Sequence, residues 1–310
     1  MISIQCVRKA QILTHNHSMT RILIIGCGDI ALRAIPLLTR RYKIYALVRN
    51  KQYVEKLRAL KVVPILGDLD DRASLQRITG IADTVLHLAP PPNDGSGDAR
   101  TQNLLSALAQ GNHPPRRLIY ISTSGVYGDC GGALVDETRA LNPKSARAQR
   151  RVAAEKQIRS WAKHNGVHAS ILRVPGIYAA DRLPVQRIQQ GTPAIIAAED
   201  SYSNHIHADD LVRCIVAAVR HAKPSRAYNT SDDSALQMGE YFDLVADAYC
   251  LPRPPRVSRV AAQHMLSPMM LSFVNESRRL KNARMKRELK VQLRYETVRE
   301  ALLSFNSTSL

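Results

Sequence analysis

Aromatic side chains are scarce, with three Phe and one Trp in 310 residues and 5% Phe, Tyr and Trp combined. The basic segments carry no interleaved aromatics, so the stacking surface of an RNA-binding module is lacking. No zinc-finger or helix-turn-helix pattern replaces it, and nucleic acid is not an expected partner. Cysteine is also sparse. Cys6, Cys27, Cys130, Cys214 and Cys250 are widely separated, with no C-x-x-C pair and no His at metal-ligand spacing. That spacing argues against a disulfide framework and against a metal site, and reduced thiols in a cytoplasm are the expectation. No apolar run approaches a membrane span, and the N-terminus lacks the compact apolar core of a signal peptide, so a soluble chain without a membrane partner is expected. Acidic residues are outnumbered 26 to 44, leaving a net charge of +18. Between Arg253 and Arg299 twelve Lys and Arg face three Glu, a local +9 that is half of the total. Such a surface attracts anions. Without a nucleic-acid module, a solvated face or a rim that draws in an anionic small-molecule substrate is the reading.

What is present suffices for a large core, since 45% of the residues are hydrophobic. Residues 1–18, with His15, His17 and no apolar periodicity, read as a disordered extension ahead of Met19. From Arg21 onward strands and helices alternate. Strands are predicted over 21–25, 43–48, 62–66, 83–88, 116–122 and 167–174, and helices over 29–40, 51–60, 72–79, 98–110 and 145–164. This alternation specifies a doubly wound α/β fold, a Rossmann parallel sheet with helices on both faces. Beyond Pro175 the alternation breaks up, with helices predicted over 183–190, 208–221, 237–249 and 295–304 and a strand over 226–230. We therefore expect an NAD(P)-binding Rossmann domain over 19–178 and a smaller C-terminal substrate lobe over 179–310 with interleaved Rossmann elements.

The first strand feeds directly into Gly26-Cys27-Gly28-Asp29-Ile30-Ala31 and then into a helical pattern. In that context G-x-G-x-x-A is a dinucleotide-binding fingerprint. Gly26 permits the tight turn, Gly28 lets backbone N–H groups approach a pyrophosphate, and small Ala31 lets helix and strand pack closely, while Asp29 and Ile30 open the helix. The second strand ends in Arg49, where an NAD-specific site would carry an acid for the ribose hydroxyls. A cation there suits a 2′-phosphate, which makes NADP the preferred cofactor and NAD the alternative.

Four further segments, in this order, make the chain resemble the extended short-chain dehydrogenase/reductase family, the NAD-dependent epimerase/dehydratase group. They are Gly67-Asp68-Leu69-Asp70, Val85-Leu86-His87-Leu88-Ala89, Tyr120 to Gly128 and Asn204 to Leu211. The resemblance implies that Asp68 and Leu69 lie against adenine, that Leu88 and Ala89 run past the ribose, and that Thr123 orients the substrate. It also implies a homodimer as one assembly. The family's working pair is Tyr-x-x-x-Lys, in which the Lys lowers the Tyr pKa and the Tyr moves a proton. Here Arg147 takes the Tyr position and Arg151 the Lys position. Arg151 can still hydrogen-bond a ribose, but an arginine does not shuttle protons near neutral pH. The chain thus reads as an atypical member, with Tyr178 the leading candidate for a relocated acid and His205 and His207 the weaker ones. Two functions stay open: an oxidoreductase, epimerase or dehydratase with a displaced proton donor, and a non-catalytic sensor of NADP(H) or a metabolite.

Overall fold

A computed structural model describes residues 19–111 and 113–307; the extension expected over 1–18 lies outside them. In chain order the first half runs β1 (Arg21–Ile25), α1 (Asp29–Leu38), β2 (Lys43–Val48), α2 (Tyr53–Ala59), β3 (Val62–Leu66), β4 (Thr84–His87), α3 (Ala99–Ala109) and β5 (Arg117–Thr123). Then come β6 (Leu134–Val135), α4 (Ala146–Asn165), β7 (His168–Val174), β8 (Gly176–Tyr178), α5 (Val185–Gln189), β9 (Ala194–Ile195), β10 (Tyr202–Ser203) and β11 (His205–His207). The remainder is α6 (Ala208–His221), β12 (Arg226–Asn229), β13 (Leu236–Gln237), α7 (Met238–Ala248), β14 (Arg256–Val257), α8 (Arg259–Met265), α9 (Pro268–Val274), β15 (Arg279–Leu280) and α10 (Val298–Ser307).

Seven strands form one parallel sheet in the order β12-β7-β5-β4-β1-β2-β3. Both faces are covered, which is why β1 is apolar without alternation: Ile22, Leu23, Ile24 and Ile25 are all fully buried. On one face α1 packs on α6 through Ala34, Ile35, Leu38, Leu211, Ile215 and Ala218. On the other, Leu104 and Leu108 of α3 meet Ala154 and Ile158 of α4. Strand order reverses between β4 and β1. Ligands of doubly wound sheets lie at the strand C-termini beside such a reversal.

The smaller lobe has its own core, in which Tyr178, Ile188, Tyr241, Phe242 and Val245 pack with Val298, Ala301 and Leu302. Its strands are two- or three-residue ladders, β8 with β11, β9 with β14 and β10 with β13. The chain does not stay there. Met285 and Leu289, in a π-helical turn, are fully buried in the sheet-side core with α6.

Three expectations are corrected. The helix expected over 72–79 is a 3-10 turn at Arg72–Ile78, opened by the Asp71 carboxylate accepting from the Ala73 N–H. The helix expected over 183–190 shortens to Val185–Gln189, behind Pro184. The polybasic run from Arg278 is not a solvated face, because most of its cations are engaged. Arg278 donates to the Gly128 carbonyl and to Glu276, and Arg279 lies over the Tyr202 ring. Arg284 pairs with buried Glu137 and Lys286 with Asp233, while Leu280 packs beside Val126 and Val135.

Candidate active site

The glycine turn is built by close approach. Gly26 has φ +95°, and a Cβ on it would lie 2.5 Å from the Ala89 nitrogen, so the β1 and β4 loops meet only because the side chain is missing. The Leu88 N–H donates to the Ile25 carbonyl at 2.8 Å and fixes that approach. Gly28 differs: its φ is −80°, and a Cβ there would meet nothing within 4 Å. Open space above an ordinary backbone at the first turn of α1 is the cradle a pyrophosphate requires, and the residues present fit a dinucleotide. Ala31 is buried where α1 crosses the sheet.

The loop after β3 is held by a ladder of charges. Arg49 is mostly exposed and stands 3.9 Å from Asp68. The Asp68 carboxylate accepts from the Asp70 N–H, and Arg100 grips Asp70 through two bonds of 2.8 and 2.6 Å. Asn103 donates to the Leu69 carbonyl, so the 67–70 segment is pinned to α3. Asp29, at the helix start, is neutralised by Arg33 and Arg182, each at 2.8–2.9 Å. Burial alone raises its pKa, but those two guanidinium groups outweigh it and hold the carboxyl below its usual range. Arg33 also bridges to Asp181, tying α1 to the lobe.

Next to this groove opens a cleft of about 520 Å³. Thr123 lines it from the end of β5, its Oγ1 accepting from the Gly125 N–H at 3.2 Å to cap the turn that follows. Arg147 and Arg151 line it from α4, Arg182 and His205 from the lobe, and Phe273, Glu276 and Arg278 from the C-terminal segment. Arg151 Nη1 donates to the Ile121 carbonyl at 2.7 Å and the Tyr120 hydroxyl at 2.9 Å, with the Ala89 carbonyl at 3.4 Å. It braces the groove against the cleft. Arg147 lies over the Phe273 ring at 4.9 Å.

No tyrosine lines this cleft. Tyr178, the expected acid, is 1% exposed and turned into the lobe, edge-on to His205 and His207, with its hydroxyl towards Asp232. Burial and the Asp232 charge raise its pKa, so it is a core residue and not a proton donor to the cleft. The Tyr127 hydroxyl is spent on Asn229 and Arg173, at 2.7 and 2.9 Å. Arg173 forms a buried pair with Glu155, whose other oxygen accepts from Ser122 at 2.6 Å. This network stiffens the wall behind Thr123. His205 stacks on Tyr241 at 4.1 Å, and burial holds its pKa down at about 4, so it is neutral. His207 accepts from the Asp209 N–H and starts α6. Among the described residues no group of three or more His, Cys, Asp or Glu is placed to hold a metal ion. No helix among them is long and apolar enough to cross a membrane.

Arg182, Phe273, Glu276 and Arg278 had not been read as site residues. Phe273 carried a faint signal, as one of three Phe in the chain. Arg278 was hidden in the basic run.

A parallel sheet with a glycine turn at its reversal point, a hydroxyl at the end of β5 and a lobe over the strand edge define a Rossmann-fold protein of the extended short-chain dehydrogenase/reductase type. The model of the NAD dependent epimerase/dehydratase family matches residues 34–231, and the chain belongs to that family. A structure of a functionally unknown conserved protein from Silicibacter pomeroyi DSS is 29% identical, with a TM-score of 0.79 over 94% of this chain and 99% of that one. A UDP-glucose 4-epimerase from Thermotoga maritima, solved with UDP-glucose, shares the fold at 18% identity and a TM-score of 0.74, over 94% of this chain and 100% of that one. A dTDP-glucose 4,6-dehydratase of Mycolicibacterium smegmatis is 29% identical over 143 residues, 42% of this chain and 41% of that protein's length.

Proposed function

We propose that the protein is an NADP(H)-dependent oxidoreductase of the epimerase/dehydratase type that acts on a small or nucleotide-linked carbonyl or hydroxyl substrate without a Tyr–Lys pair. The observation that carries this reading is the common cleft in which the Thr123 hydroxyl and the Arg147 guanidinium sit, joined to the glycine groove through Arg151. NADP, when bound, supplies or accepts the hydride. Gly26 to Ala31 would hold its pyrophosphate, Asp68, Leu69, Leu88 and Ala89 its adenosine side, and Arg49 its 2′-phosphate. Thr123 donates a hydrogen bond to the substrate oxygen. Arg147 adds positive charge to the cleft and releases no proton. The proton therefore comes from water entering the open cleft.

Screening nucleotide sugars and small ketones by NADPH absorbance tests the proposal. Turnover with at least one carbonyl is expected, and Thr123→Val should lower it by about 10²-fold through loss of substrate orientation. Arg49→Ala should weaken NADP binding by about 1.5–3 kcal/mol, roughly tenfold or more, and leave NAD unchanged, as read by calorimetry. The absence of any tyrosine from the cleft favours a second reading, a non-catalytic NADP(H) sensor. NADPH that binds tightly and is oxidised by nothing in the screen selects it.

A further inference from the structure

The start of α4 carries an arrangement of charge that local stability does not explain. Arg147, Arg150 and Arg151 fall within its first two turns, and its first turn holds no acidic residue. Helix N-termini disfavour cations, and like charges four residues apart repel. Two of the three have evident employment: buried Arg150 donates to the Gly95 carbonyl at 2.9 Å, and Arg151 braces the groove. Arg147 has no hydrogen bond or ion pair to any described residue; the Phe273 ring lies beneath it and the Glu276 carboxylate is near enough to act on its charge. Elsewhere in the cleft, charge is compensated. Arg182 is matched by Asp29 and Arg278 by Glu276, at 2.8 Å each. With Glu276 shared between Arg278 and Arg147, and Arg151 bonded only to neutral oxygens, the cleft keeps an excess of positive charge beside the N-terminal end of a 20-residue helix. The Ser145 hydroxyl accepts from the Ala148 N–H, which leaves the preceding N–H groups of the helix without intrahelical acceptors.

We propose that Arg147 anchors an oxyanion of the substrate, a carboxylate or phosphate adjacent to the reacting carbon, held between its guanidinium and the first N–H groups of α4. The proposal rests on the oxidoreductase reading for the words "reacting carbon" and on the cleft alone for the anion. A planar guanidinium forks onto carboxylate or phosphate through two parallel bonds, which a lysine does not reproduce. The residue that displaced the phenol has turned a proton-transfer position into a recognition position. Substrate choice would then fall on acids and phosphate esters, with Thr123 left to orient the oxygen that reacts.

Inorganic phosphate and malonate are the probes, each titrated into the full chain by calorimetry at constant ionic strength and without cofactor. An Arg49→Ala background removes competition from the expected 2′-phosphate site. Saturable binding of at least one probe is expected, weakened at least tenfold by Arg147→Ala, partly restored by Arg147→Lys and unchanged by Arg41→Ala, an exposed cation on the turn after α1. The probe bound more tightly identifies which oxyanion the substrate carries. Binding of both probes to Arg147→Ala as to the parent, or an equal loss in Arg41→Ala, overturns the proposal. NADP affinity is measured separately on otherwise native protein and should be the same with and without Arg147→Ala. Anion binding lost in Arg147→Ala in a protein that never binds NADP(H) would retain the anchor and remove the oxidoreductase.

Discussion

Gly26 and Gly28 stand two positions apart and answer to different constraints. Gly26 is required by the fold itself, through its positive φ and the Ala89 backbone at its α-carbon. Gly28 has neither constraint, so its hydrogen is explained by what approaches from outside. Gly26→Ala should lower stability by roughly 1–3 kcal/mol, measured by urea denaturation, because strain and overlap coincide there. Gly28→Val should leave the urea midpoint nearly unchanged and abolish dinucleotide binding. A Gly28→Val protein that binds NADP normally would show that the cradle has been misread. The turn at Gly26 was legible in the sequence because it is local. The placement of Tyr178 was not. Four residues past the end of β7, nothing local says whether a tyrosine turns to the cleft or to the lobe; His205, Tyr241 and Asp232, distant in sequence, decide it.

Asp232 yields a second prediction at this scale. Burial raises its pKa from 3.8 to about 7 against the opposing hydrogen bond from the Ser234 N–H. A carboxyl whose folded pKa is raised binds more protons in the folded chain than in the unfolded one, so stability falls as pH rises from about 4 to about 7. Asp232→Asn should flatten that slope. Melting temperatures taken from pH 5 to pH 8 should drop less in the variant than in the parent; parallel curves would contradict the assignment.

At the scale of elements, α4 is joined to β7 by the buried Glu155–Arg173 pair and to β5 by Ser122, with Tyr127 beside them. Removing one member leaves the other charged and unpaired in the core, a loss typically of about 3–5 kcal/mol. Glu155→Ala should therefore be among the most destabilising single changes, with the urea midpoint as the measure, whereas exposed pairs such as Arg58–Glu55 should contribute little. The strands of the large sheet were legible because each is a local apolar run or alternation. The ladders β6–β15, β8–β11, β9–β14 and β10–β13 were not, since two or three residues show no period and each strand exists only through its partner. The same holds for α8 and α9, seven residues each, whose start is set by Ser258 and Ser267 hydroxyls accepting from backbone N–H groups. Their outward faces keep Val260, Met265 and Met269 more than half exposed, which blurs any helical pattern.

At the scale of the molecule, the two cores are threaded by one chain that passes between them repeatedly. After β8 it enters the lobe, returns through α6 and β12, leaves again, returns with Met285 and Leu289, and ends in α10 against α7. A fragment stopping at Tyr178 would lose α6 and uncover Ala34, Ile35 and Leu38 of α1, so it should fail to give a cooperative melt by circular dichroism. The full chain should unfold in one step. Trp161, the single tryptophan, reports the sheet side by fluorescence, and far-ultraviolet circular dichroism reports the whole chain. Coincident urea transitions by the two signals are expected, and two separated transitions would contradict this coupling.

The late return of Met285 and Leu289 also bears on synthesis. These two residues fill the core behind α1 and α6, yet they are translated after nearly all of the chain they support. On a ribosome, β1 to β5 emerge with one sheet face uncovered until α6 arrives, and that face is not sealed until residue 289 has cleared the exit tunnel. Long-range closure of this kind slows folding and exposes apolar surface meanwhile. The nascent chain should therefore engage holding chaperones through most of its elongation, until residue 289 has emerged.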